Sequence, residues 1–221
     1  MIVDVLRTKG WLSLQCAAVQ DAILSVGRAQ TFEAGTTIFS VGDPAGGCYA
    51  IIEGQIAVTV SENPSGPKIA HLAQPGTWYG EGAFMTRGTR IVGLEAVVPS
   101  ILFHLPLVAM DRLAAKDPEW IRRFAQMLMA NTGLALQAVD DLLIKDPSRR
   151  VAAVLIRCIG WDAEHGSLNI SQAELGHLSN VSRKVVNRLL GEYAQRGWLI
   201  TSYNRIEVTN VRALAAHAQG K

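Results

Sequence analysis

Arg183, Lys184, Asn187 and Arg188 fall within the short run SRKVVNRLLGEY, and all four carry hydrogen-bond donors. On a helix they form an outward face, because Val185, Val186, Leu189, Leu190 and Tyr193 make the apolar one. Such donors suit the base edges of duplex DNA. Arginine can fork onto guanine O6 and N7, asparagine pairs with adenine, and lysine donates to guanine, thymine O4 or a phosphate. The elements that must position them are legible around them. Ser182 is placed to cap this helix, and Asn180-Val181 makes the turn before it. An earlier helix starts at Ser171, with Glu174 completing a capping box and Ile170 and Leu175 a hydrophobic staple, and runs to about Ser179. Ser171 and Gln172 at the first helix start, with Ser182 at the second, join the candidate DNA contacts. After Gly197 the run WLITSYNRIEVT alternates about Tyr203-Asn204 and reads as a hairpin, the wing of a winged helix-turn-helix.

The competing reading is an amphipathic helical hairpin whose charges are only solvated. Charge distribution favours DNA. Residues 147–221 hold ten Lys+Arg against five Asp+Glu, whereas residues 1–146 hold eleven against fourteen, so the whole-chain charge of +2 hides a basic C-terminal part. With 221 residues and 49% hydrophobic content, the chain has material for two modest cores. No apolar run approaches a membrane span, and MIVDVLRTKGWLSLQ has an early Asp4 and no long apolar core, so a cytoplasmic protein without membrane contact is expected. Cys16, Cys48 and Cys158 are odd in number and widely spaced, which predicts reduced, largely buried thiols rather than a disulfide framework.

The N-terminal half follows a different pattern. From Phe32 to about Leu107, β-rich runs are separated by Gly42-Asp43-Pro44, Glu53-Gly54, Asn63-Pro64-Ser65-Gly66 and Pro75-Gly76. Alternation sends Ile51, Ile56, Val58 and Val60 toward a core. An antiparallel roll is predicted, giving an α+β protein overall.

Gly35, Ile38, Gly42-Asp43, Tyr49, Ile51, Gly54 and Ile56 resemble the glycine-punctuated signature of the cyclic-nucleotide-binding jelly roll. Joined to the helix-turn-helix, the chain resembles the CRP/FNR family of bacterial transcription regulators over nearly its whole length. That resemblance implies that TWYGEGAFMTRGTRIVGLEA is a phosphate-binding cassette. Gly80 opens it, Glu81 would hold a ribose hydroxyl, Gly82, Ala83 and Phe84 would offer helix-start amides, and Arg90 would neutralise a phosphate. Cyclic AMP or cyclic GMP is then the candidate effector, and RNA polymerase a candidate partner. The sequence departs from the pattern at Ile91, where a small or hydroxyl residue is usual. It departs again at Ala135 and Leu136, which align with adenine-contacting hydroxyls in the family's cyclic-AMP receptor. Lys184 stands where that receptor has a glutamate between its reading arginines. A second reading stays open, in which Glu81 and Arg90 form an ion pair that shapes a roll binding another effector or none.

Between the halves, Asp117-Pro118 starts a long helix through Lys145. Ile121, Leu128, Ala135 and Leu142 recur every seven residues, with Phe124, Asn131 and Ala138 alternating. This stripe predicts a parallel homodimer, with a pseudo-palindromic duplex as its partner. Asn131 or Thr132 would be a polar point fixing register or touching an effector. Asp146-Pro147 reads as a hinge. The expected division is residues 1–116 as effector roll, 117–146 as dimerisation helix and 147–221 as DNA-binding part. Other chemistries fit less well. One N-terminal cysteine cannot ligate an iron-sulfur cluster, and His71 and His104 are the only roll histidines for a haem. Cys158 with His165 and Asp162 suggests a thiol site, but Cys158 sits in the apolar run VAAVLIRCIGW and core packing explains it better. A non-enzyme is expected. The alternative function is a cyclic-nucleotide-binding regulatory protein that works through protein contacts.

Overall fold

The computed structural model describes residues 2–63, 66–160 and 163–221. In chain order its elements begin with α1 (Asp4–Thr8), α2 (Gly10–Ser13) and α3 (Ala17–Val26). Strands β1 (Arg28–Phe32), β2 (Thr37–Phe39), β3 (Gly47–Glu53), β4 (Ile56–Asn63), β5 (Gly66–Ala73) and β6 (Trp78–Tyr79) follow. Then come α4 (Glu81–Thr86), β7 (Gly93–Ala96), β8 (Ser100–Pro106), α5 (Leu107–Lys116) and α6 (Glu119–Leu143). The rest comprises α7 (Pro147–Ile159), β9 (Gly166–Asn169), α8 (Gln172–Leu178), α9 (Arg183–Gln195), β10 (Leu199–Ser202), β11 (Arg205–Val208) and α10 (Val211–Gln219). Contacts divide the chain into two compact units, Met1–Pro67 with Ala73–Gly133, and Lys68–Leu72 with Leu134–Lys221.

The roll is two four-stranded sheets, β1-β8-β3-β6 and β2-β7-β4-β5. Its recorded pairings are antiparallel, with Ala50 opposite Phe103 and Ile51 opposite Leu102. Between the sheets lie Phe39, Ile51, Ile56, Val58, Tyr79, Leu94 and Leu102. A second core covers the outer face of β3 and β8 with Leu6, Trp11, Leu12, Ile23, Trp120, Phe124 and Met127 against Cys48, Ala50, Ile52, Phe103 and Leu105. Both faces of β3 are therefore buried, and its sequence is a continuous apolar run rather than an alternating one. The predicted inward set needs one correction, since Val60 is exposed while Ile51, Ile56 and Val58 are buried. Cys16 is also exposed, against the expectation of buried thiols, whereas Cys48 and Cys158 are buried. Pro64 and Ser65 of the predicted turn lie outside the described residues.

In the second unit β10-β11-β9 form a three-stranded sheet, so the predicted hairpin gains a partner strand that the sequence reading did not find. Helix α7 is buried continuously from Val151 to Cys158. Asp146 caps it, accepting from the Arg149 amide with Pro147 in the first helical turn, so the expected hinge dipeptide is a helix start. No described helix is long and apolar enough to cross a membrane.

Candidate nucleic-acid interface and anion cradle

The capping box forms as predicted: Ser171 Oγ accepts from the Glu174 amide at 3.2 Å and the Ser171 amide donates to Glu174 Oε2 at 2.8 Å. The turn between α8 and α9 places Asn180 at φ 50°. Here Gly176 is required by space, because a Cβ would sit 2.8 Å from the Val181 carbonyl oxygen. Ser182 caps α9 through the Val185 amide. Val186, Leu189, Leu190 and Tyr193 are buried, while Arg183, Lys184, Asn187 and Arg188 are exposed together on the opposite face. Two of the four are tethered: Asn187 Nδ2 donates to Gln172 Oε1 at 3.2 Å and Arg188 NH1 to Glu192 Oε1 at 2.6 Å. Tyr203 is 93% exposed at the wing tip beside Asn204, whose φ is 50°.

The sequence reading missed Arg150. Its guanidinium donates to the carbonyls of Ser179, Ile144 and Asn180, clamping the turn from α7. It is spent on internal acceptors. Tyr193 does similar work, donating to the Ser148 carbonyl, and burial raises its pKa to about 12.

In the roll, Gly80 has φ 111°, and a Cβ there would lie 2.4 Å from both Arg90 NH1 and the Gly47 oxygen. Only glycine fits. Glu81 begins α4 and is buried, with Oε1 accepting from Asn131 Nδ2 at 3.0 Å while Oε2 has no partner. Burial pushes its carboxyl pKa up, and the Asn131 hydrogen bond opposes that shift. Arg90, equally buried, donates to the Gly47 oxygen at 2.8 Å and lies 3.9 Å over the Phe39 ring, with Nε unpaired. Burial lowers its pKa. The two are not ion-paired, which corrects the reading of Glu81 and Arg90 as a structural pair: each carries a buried polar atom without a partner. Ala83 and Phe84 are buried on the first turn of α4, Gly82 has open space where a Cβ would be, and Ile91 is 75% exposed. An unpaired carboxylate oxygen, an arginine and helix-start amides are together suited to a hydroxyl-bearing anion.

Asn131 is drawn inward to Glu81 and the Trp78 carbonyl, so it is not the polar point of an exposed seam. Thr132 is exposed, with its hydroxyl on the Leu128 carbonyl. Phe124 is a second correction: it is wholly buried among Trp11, Phe84 and Trp120 and cannot join a dimer seam. Ile121, Ala135 and Leu142 are exposed and Leu128 half-buried, with Met129, Leu136, Val139 and Leu143 exposed beside them.

Neither haem candidate is presented as a ligand. His71 is buried, its Nδ1 3.1 Å from Arg157 NH1, while His104 Nε2 donates to the Gly46 oxygen. Cys158 is a buried thiol near His71 with its pKa raised by burial; His165 is exposed and Asp162 lies outside the described residues.

The chain matches the cyclic nucleotide-binding domain over residues 29–117 and the Crp-like helix-turn-helix domain over residues 149–217. It is 24% identical over 199 residues to the CRP-like cAMP-activated global transcriptional regulator of Mycobacterium tuberculosis, covering 85% of this chain and 87% of that one. It is 28% identical over 195 residues to the global nitrogen regulator of Synechococcus elongatus, covering 84% and 87%. Among solved structures, a CRP/FNR-family regulator of Thermus thermophilus superposes with a TM-score of 0.66 at 24% identity, covering 87% of this chain and 98% of that one. FixK2 of Bradyrhizobium japonicum superposes at 0.72 and 19% identity, covering 86% and 96%.

Proposed function

Because this chain belongs to the CRP/FNR family of transcription regulators, we propose that it binds DNA as a homodimer under the control of a small anionic effector held in the roll. In this reading residues 1–116 form the effector part, 117–146 the dimerisation helix and 147–221 the DNA-binding part. The observation that carries it is the face of α9, where Arg183, Lys184, Asn187 and Arg188 are exposed while the opposite face is buried. Ser171, Gln172 and Ser182 at the helix starts complete the DNA contacts. The apolar stripe of α6, from exposed Ile121 through half-buried Leu128 to exposed Ala135 and Leu142, pairs two copies and so sets two-fold symmetry on the duplex.

The effector site comprises Gly80, Glu81, Gly82, Ala83, Phe84 and Arg90, with Asn131 behind Glu81 and Ile91 and Thr132 at its margin. Cyclic AMP and cyclic GMP are the first candidates, and a relative's activation by cAMP supports trying them. Binding would shift the population between DNA-competent and incompetent dimers. RNA polymerase is the proposed protein partner. Calorimetric titration with cyclic AMP and cyclic GMP tests the effector assignment. Heat of binding that disappears in Arg90→Leu is expected, and tight binding that survives that change would place the anion elsewhere.

A further inference from the structure

Glu192 stands one helical turn beyond Arg188 on α9, and their ion pair is 2.6 Å long with side-chain exposures of 40% and 62%. The pair is poorly placed to stabilise the helix. Arginine precedes glutamate, the less favourable order, and Glu192 approaches the C-terminal end at Gln195, where the helix dipole disfavours a negative charge. It is well placed to act on Arg188. A free arginine samples many rotamers, whereas reading guanine needs its planar fork presented in one orientation. Holding NH1 from one side restricts that search and leaves the other N–H groups for a base edge. The carboxylate also opposes phosphate contact, because it neutralises the guanidinium locally and repels the DNA backbone.

We propose that Glu192 is a positioning residue that reserves Arg188 for base reading and withholds it from phosphates, thereby setting specificity as a difference between two affinities. The proposal rests on the DNA-binding reading of α9.

The test uses the full chain as wild type, Glu192→Ala, Glu192→Gln and Arg188→Ala. Affinities are measured on the duplex that wild type prefers from a random pool, on its single-base variants and on an unrelated duplex across salt concentrations. In Glu192→Ala, binding to the unrelated duplex should tighten, and the slope of log K against log salt should steepen by about 0.9, the signature of one added phosphate contact. Discrimination should fall at least about threefold at the base pair that Arg188→Ala also loses, out of the range expected for a bidentate contact, and hold elsewhere. Glu192→Gln keeps an acceptor without the charge. It should retain that discrimination within about twofold while binding the unrelated duplex more tightly. Unchanged discrimination in Glu192→Ala, or a loss spread evenly over all base pairs, overturns the proposal. A wild-type chain with no preferred duplex overturns the reading beneath it, and the proposal with it. An unchanged thermal midpoint shows that the variants fold.

Discussion

His71 shows what burial does to one side chain. Arg157 NH1 donates toward its Nδ1 at 3.1 Å, so the imidazole is held as a neutral acceptor, while Arg157 is also paired with Asp141 at 2.7 Å. Burial first, and the Arg157 charge second, lower the His71 pKa to about 3. The folded-state pKa therefore lies below the unfolded one. His71 contributes its full stability above about pH 6.5, and that contribution is lost as pH falls from 6.5 toward 3, by about 1.4 kcal/mol per pH unit. Urea unfolding of wild type and His71→Gln at pH 7, 6 and 5 checks this. The stability difference between the two should shrink or reverse toward pH 5; a constant difference contradicts it. Glu81 presents the complementary case, a buried carboxylate with one oxygen unpaired. Its place beside Gly80 and ahead of Arg90 was legible because the three residues lie in one short run of sequence. Its bond to Asn131, 50 residues away, was not, because that depends on the rotation of α6 against the roll's own side chains.

Helix α6 separates two roles that one periodicity cannot distinguish. Phe124 repeats in step with the predicted seam, yet it packs with Trp11, Phe84 and Trp120 inside the roll unit. Heptad spacing says that a stripe is apolar, not which of two neighbours covers it. Phe124→Ala should therefore cost about 3–5 kcal/mol in denaturant unfolding, the usual penalty for emptying a packed aromatic site. Leu136, 65% exposed, predicts the opposite pattern. In Leu136→Glu the sedimentation coefficient should fall to that of a monomer, with the stability of each folded unit nearly unchanged. An intact dimer in that variant would move the interface off this face. The helix-turn-helix was legible at element scale because its signals are local. Ser171 and Glu174 bond each other three residues apart, and Ser182 caps from the adjacent position. Ser171→Ala should cost about 1 kcal/mol of stability, measured by the same unfolding. The N-terminal helices α1 to α3 and the partner strand β9 carried no comparable local signature.

For the whole molecule, the asymmetry of charge matters more than its total. The net charge of +2 resolves into +5 over residues 147–221 and −3 over residues 1–146, which suits the C-terminal part to phosphates and the N-terminal part much less. The proposed pairing of two copies through α6 carries a symmetry requirement, since a two-fold pair of α9 helices would need a two-fold duplex. The most direct test of both is to recover the duplexes that the full chain binds from a random pool and sequence them. The prediction is an enriched pseudo-palindrome whose half-site centres lie about one helical turn, roughly 34–36 Å, apart. Enrichment of a single unrepeated site, or no enrichment at low salt, would contradict a dimeric DNA-reading protein.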